Sequence, residues 1–223
     1  MTLSQGRHGT GLVDIVSGSF GAGHDAAARE IAIRFEARGY TTRTWDVVDL
    51  FPVGIGRVLR AVYLQQLRHA PGTWGSLLRG LEPSSRRTRT ASRALAMTAP
   101  GLLRIAADGP DVVVSTHPFA SQSLGRLRDT GRIDVRVVTY LTDMSVHPLW
   151  VHPSVDLHLA LHEVPAAQAR TLGGRAVVVD PLAGGTASPH SVGSLAALRR
   201  RLGLPVGRRL LRRAGDQGTK SSG

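Results

Sequence analysis

The short apolar run Leu12-Val-Asp-Ile-Val16 stops abruptly at a glycine-rich turn, Ser17-Gly-Ser-Phe-Gly-Ala-Gly-His24. This junction constrains the fold more than any other feature. An apolar run of that length, closed by small residues, reads as a buried strand. The sequence then predicts a helix from Asp25 to Arg38, with Ala28, Ile31, Ala32 and Phe35 on one face and Gly39 as its stop. A second strand is expected over Thr42 to Val48. Strand, glycine turn, helix and strand make the first unit of a doubly wound parallel sheet.

The same alternation returns further along. Asp111-Val-Val-Val-Ser115 reads as a strand and Phe119 to Arg128 as a helix. Val135 to Leu141 and Val155 to Leu161 read as strands, Val164 to Leu172 as a helix and Arg175 to Val179 as a last strand. The predicted class is α/β: a Rossmann-like parallel sheet with helices on both faces. Residues 54–107 interrupt it as a helical insertion, with breaks at Pro71-Gly72 and Glu82-Pro83. A simple crossover needs only one helix, so this connection is too long for that purpose alone.

Charge separates two regions. The chain has 223 residues and a net charge of +12. Arg57 to Arg104 carries nine arginines against the single acid Glu82, and residues 190–223 carry eight basic residues against Asp216. Lys220 is the only lysine, so the preference for arginine fits a GC-rich genome and is not in itself phosphate recognition. In the insertion, arginine alternates with apolar residues and with Tyr63 and Trp74. That composition suits a peripheral helix against anionic headgroups. The expected membrane-facing residues are Arg57, Arg60, Tyr63, Trp74, Arg86, Arg87 and Arg89. No nucleic-acid motif accompanies them, and no nucleic acid partner is expected. No segment reaches the ~18 apolar residues of a membrane span. With no cysteine, disulfide scaffolds and thiolate metal sites are excluded.

The turn spacing Gly18-x-x-Gly21-x-Gly23-His24 is neither G-x-G-x-x-G nor a P-loop. Glycines there let a ligand approach the amides of the helix N-terminus. Substrates in open α/β sheets bind at the carboxyl edge, which is where His24 is expected. The helix dipole disfavours a charged imidazolium at that place, leaving a neutral ring that can accept a proton. The next two strands end in Ser115-Thr-His-Pro-Phe119 and Thr142-Asp-Met-Ser-Val-His-Pro-Leu-Trp150. Three strand ends thus bring histidine-bearing polar clusters to one rim, and Asp143 is placed to orient a base or hold a sugar hydroxyl. His152 and His158 read as turn and packing residues. A metal site built from His147, His152, His158 and His162 lacks a carboxylate at a recognised spacing, so no metal is expected.

These three motifs, taken in order, resemble the N-terminal domain of the monogalactosyldiacylglycerol synthases. They are similar to the processive bacterial diacylglycerol glucosyltransferases and, more distantly, to the peptidoglycan-lipid glycosyltransferases. The resemblance runs from Val13 to Leu182. It implies the N-terminal half of a two-domain GT-B glycosyltransferase, with a lipid-acceptor domain over 1–185. Within that domain it implies His24 as the general base, with Asp143 beside it as a catalytic residue. Gly21, Gly23, His117, Pro118, Phe119, Thr142, His147 and Trp150 are expected to line the acceptor cleft. It implies no resident cofactor; a nucleotide sugar, UDP-hexose, is the co-substrate. Diacylglycerol or a glycolipid is the acceptor, at the inner face of the cell membrane. In that family a donor-binding Rossmann domain follows. Here Gly207-Arg-Arg-Leu-Leu211 stands where its first strand begins, and residues 186–223 read as a linker and the truncated, disordered start of that domain. A separate donor-domain polypeptide is then the expected partner.

Two other readings remain open on sequence. One is a non-catalytic module that binds anionic lipid. The other is a nucleotide-dependent oxidoreductase, with Asp46 or Asp49 on a ribose, although Lys220 is too remote for a Tyr-x-x-x-Lys pair.

Overall fold

Short runs rich in β-branched or apolar residues, set between glycine and polar turns, form six strands in the computed structural model, which describes residues 11–52, 54–69 and 95–182. The elements in chain order are β1 (Leu12–Ser17), α1 (Ala22–Glu36), β2 (Thr41–Asp46), α2 (Val47–Leu50) and α3 (Ile55–His69). A 3₁₀ turn at Ala96–Thr98 then leads into α4 (Ala99–Ala107). There follow β3 (Val112–Ser115), α5 (Pro118–Asp129), β4 (Arg136–Tyr140), a 3₁₀ turn at Pro148–Trp150, β5 (Leu157–Ala160), α6 (Glu163–Thr171) and β6 (Ala176–Val178).

The strands form one parallel sheet in the order β2-β1-β3-β4-β5-β6. The α/β, Rossmann-like expectation therefore holds. Strand order reverses at β1, which pairs with β2 on one side and β3 on the other. The crevice at such a reversal, outside the carboxyl ends of the strands, is the usual ligand position in open sheets.

Each face of the sheet is buried for an identifiable reason. Val13 and Ile15 pack with Ala28 and Ile31 of α1, together with Val114 and Tyr140. α1 ends because Gly39 turns into positive φ, a conformation that costs a residue without a Cβ little. On the opposite face, Val16, Val113 and Val137 meet Leu102 and Ile105 of α4 and Leu124 of α5. Ala166 and Ala169 of α6 close a third cluster around Trp150 and Leu141.

Two local expectations change. The second strand stops at Asp46 instead of continuing to Val48. The Asp46 carboxylate accepts from Val48 N–H at 2.9 Å and caps α2, so Val47 and Val48 enter the core from a helix. The end of the expected insertion is also not surface. Leu95, Leu102 and Ile105 are buried in the main core, which makes α4 a covering helix of the sheet. The predicted breaks at Pro71-Gly72 and Glu82-Pro83, and residues 186–223, lie outside the described residues. Among the described residues, no helix is long and apolar enough to cross a membrane.

Candidate active site

The site rests on three loops at the carboxyl edge, above β1, β3 and β4. The first is the glycine turn. Asp46, already a helix cap, also accepts from Ser19 N–H at 3.3 Å. Ser17 donates to Asp25 at 2.6 Å, tying the end of β1 to the first turn of α1. A Cβ built on Gly18 would lie 2.6 Å from the Cδ2 of His117, so only glycine allows that ring to close over the turn. Gly21 and Gly23 are different. A Cβ at Gly23 would meet nothing within 4 Å, and one at Gly21 only His24 at 3.8 Å. Their exposed backbone leaves open space at the helix N-terminus.

His24 lies in the first turn of α1. Its Nδ1 is 2.7 Å from the carbonyl oxygen of Thr116 and 3.1 Å from Thr142 Oγ1. Thr116 in turn donates its hydroxyl to the His24 carbonyl at 3.1 Å. Thr116 did not stand out in the sequence, because a backbone carbonyl leaves no residue signature.

The second loop supplies His117, Pro118 and Phe119. His117 caps α5, its Nδ1 accepting from Phe119 N–H at 3.2 Å, while Pro118 takes the first helical position, where no N–H is needed. The ring is stacked on Phe20 with centroids 5.0 Å apart and stands edge-on to His24 at 4.7 Å. Burial holds His117 well below the ordinary histidine range, and the neighbouring His24 and His147 push it further the same way. It is therefore a neutral ring whose hydrogen sits on Nε2. Beneath it, the hydroxyls of Ser115, Ser121 and Thr139 form a buried chain with spacings of 2.9 and 3.0 Å.

The third loop brings Thr142, Asp143, His147 and Trp150. Trp150 is fully buried, lies 5.9 Å from His24 between centroids, and donates its indole N–H to Asp143 at 2.8 Å. Asp143 is thus held by Trp150, and the groups that touch the His24 Nδ1 are Thr116 and Thr142. The Asp143 residue itself is exposed at the rim. His147 Nδ1 is buried without a hydrogen-bond partner. Burial lowers its pKa from 6.5 to about 4, against the opposite pull of Asp143.

That shift has a measurable sign. The unfolded chain binds a proton at position 147 below pH 6.5, whereas the folded protein does so only near 4. Stability is then full above 6.5 and declines as the pH falls toward 4, by roughly 3 kcal/mol at about 1.4 kcal/mol per pKa unit. Urea unfolding across that interval checks it, and His147→Gln is expected to flatten the slope. An unchanged slope in that variant would contradict the assignment.

The other candidates separate from this cluster. His158 is fully buried and its Nδ1–H donates to the Arg175 carbonyl at 3.1 Å, and His152 accepts from Ser154 N–H at 3.2 Å. Both are structural, as read from sequence. His162 stands at the N-cap of α6 without a side-chain cap bond. Among the described residues no group of three His, Cys, Asp or Glu is placed to hold a metal ion. One carboxylate oxygen of Asp46 accepts both backbone amides, which makes Asp46 first of all a helix cap. An apolar groove of about 460 Å³, floored by Val112, Val114, Val138, Leu157 and Leu159, shares no lining residue with the histidine cluster.

On α3, Arg57 and Arg60 are exposed, and so are Ile55, Val58, Leu59 and Val62. Those four apolar residues follow i, i+3, i+4, i+7 spacing and form one stripe. At 100° per residue, the two arginines lie about 150° around the helix from the centre of that stripe. Tyr63 belongs to the same helix, while Trp74, Arg86, Arg87 and Arg89 lie outside the described residues.

A search of curated proteins found no match. The family model described as monogalactosyldiacylglycerol (MGDG) synthase, in contrast, matches residues 24–177, from His24 to β6. The match covers more than half of the chain and includes His24 and the second and third loops of the cluster, but not the glycine turn that precedes His24. The chain therefore belongs to the MGDG synthase family, corresponding to its N-terminal domain, and the activity of that family is glycosyl transfer in glycolipid synthesis.

Proposed function

We propose that this chain is the acceptor-binding half of a glycosyltransferase that moves a hexose from a nucleotide sugar, UDP-hexose, to diacylglycerol or a related glycolipid. The observation that carries this reading is the convergence of His24, His117, Thr142 and Trp150 at the strand-order reversal, within the region matched by the family. An imidazole of His24 takes the proton of the acceptor hydroxyl. The hydroxyl oxygen then bonds to the anomeric carbon as the bond to the nucleotide diphosphate breaks. The diphosphate leaves with the bonding electron pair. Asp143, held by Trp150 at the rim, is placed to accept a hydrogen bond from a sugar or glycerol hydroxyl. The donor is supplied by a further domain, on this protein or on a separate polypeptide, so transfer by these residues alone is not expected.

The lipid end of the reading rests on α3. Its apolar stripe, not its arginines, is the part shaped to enter a bilayer, while Arg57 and Arg60, about 150° away around the helix, face the water side. Exposed apolar area of this kind binds interfaces in proportion to the area buried, with anionic lipid adding to it. The expected location is peripheral, on the inner face of the cell membrane.

The test is transfer of labelled hexose to diacylglycerol in anionic vesicles, with the donor domain supplied. The double variant Val58→Asp, Val62→Asp is expected to weaken vesicle binding by at least tenfold without loss of thermal stability, since both side chains are exposed. Undiminished binding would remove α3 from the membrane contact. Binding without transfer in any preparation would favour the non-catalytic lipid-binding module.

A further inference from the structure

We propose that Thr142 is a positioning residue that, with the Thr116 carbonyl, fixes His24 in the tautomer with its proton on Nδ1 and its lone pair on Nε2. This rests on the reading of His24 as the base. A carbonyl oxygen accepts and never donates. His24 Nδ1 lies 2.7 Å from that oxygen, so the contact is attractive only when Nδ1 carries hydrogen. The other tautomer would set two lone pairs against each other in a partly buried place.

Thr142 Oγ1, at 3.1 Å from the same nitrogen, would be indifferent on its own, since a hydroxyl donates or accepts. With the hydrogen committed to Nδ1, the Thr142 oxygen accepts a share of it. Its own hydrogen then points elsewhere. Two acceptors on one side of the ring leave Nε2 as the single basic atom of the imidazole. The aromatic neighbours do a different task. His117 at 70° and Trp150 at 41° to the ring hold its plane but do not distinguish its two nitrogens. The Thr116 hydroxyl on the His24 carbonyl fixes the backbone as well, so one residue clamps both ends of the histidine.

His117 provides an internal contrast. There Nδ1 accepts from the Phe119 amide, which places the hydrogen on Nε2. Two imidazoles 4.7 Å apart thus hold opposite tautomers, each set by a backbone group of the β3–α5 junction. Only the one at position 24 presents an unprotonated Nε2.

The experiment is a long-range proton–nitrogen correlation spectrum of the ¹⁵N-labelled full chain, with the ring assigned by His24→Gln. The expected pattern is a protonated Nδ1 and an unprotonated Nε2 for His24, and the reverse for His117. Thr142→Val, which keeps the shape and removes the hydroxyl, is expected to raise the Nε2–H population. With the donor domain supplied it should lower kcat about fivefold, the value of one neutral hydrogen bond. Thr142→Ser should restore both. A proton on His24 Nε2 in the unaltered protein overturns the assignment, whatever the transfer assay gives. So does a Thr142→Val variant with unaltered tautomer and kcat. The expected spectrum combined with full transfer by His24→Ala would instead overturn the reading of His24 as base and leave the tautomer standing.

Discussion

Replacing His24 with alanine is expected to lower sugar transfer to lipid by about 10²–10⁴-fold, the usual contribution of a positioned general base. The variant separates chemistry from folding well. Position 24 lies in the first turn of α1, where alanine is an excellent helix former, and the ring is only half-buried. The Thr116 carbonyl belongs to a fully buried residue and loses its partner, so a stability loss of about 1–3 kcal/mol accompanies the change. Vesicle binding should persist, because α3 is on a different element. The measurement is kcat with the donor domain supplied, beside thermal unfolding and vesicle binding of the same preparation. A loss of less than tenfold would assign the proton to another group.

The largest expected effect on stability lies one strand away. Arg43→Leu should cost about 3 kcal/mol, read from urea unfolding. Asp14 is fully buried in the centre of β1, directly opposite Arg43 in the β1–β2 register. Arg43 grips both carboxylate oxygens at 2.7 Å, and Trp45 donates its indole N–H to one of them at 2.9 Å. Without the guanidinium, a buried carboxylate keeps one neutral donor. Removing one partner of such a pair costs 3–5 kcal/mol when burial is complete; the Arg43 side chain is 32% exposed, so water relieves a part and the lower end applies. Asp14→Leu added to Arg43→Leu should recover much of the loss, since neither charge is then stranded. A single-variant loss below 1 kcal/mol would show that the pair is not what holds β2 to β1.

Much of this architecture could be read in the sequence because parallel sheets announce themselves locally. Short β-branched or apolar runs, polar turns and helical periodicity recur unit by unit, and that alternation alone assigns the three strand-end motifs to one rim. Burial was harder. Val58 and Val62 on α3 and Leu102 and Ile105 on α4 have comparable spacing in sequence, yet the first pair is exposed and the second is core. Periodicity tells that a helix has an apolar side but not what meets it. Side-chain pairing was also hidden. Asp143 looked like a candidate partner for the base, but it is bonded to Trp150, seven residues away on the same loop. The partners of His24 are a carbonyl and a threonine hydroxyl, chemistry that every chain carries in abundance. Asp46, a plausible ribose ligand in sequence, is a helix cap for reasons that depend on where β2 ends.

The reversal of strand order at β1 also bears on how the protein assembles. β1, α1 and β2 are contiguous, and so are the units from β3 to β6, so each group can form from nearby chain. They are joined by the pairing of Val13 with Val112 and its neighbours, whose partners stand nearly a hundred residues apart. Closing so long a loop is slow relative to local pairing. The bond from His24 to the Thr116 carbonyl spans this same seam, linking α1 to the end of β3. The imidazole therefore acquires its fixed tautomer only when the two groups have joined, and in a half-assembled chain either ring nitrogen can carry the hydrogen.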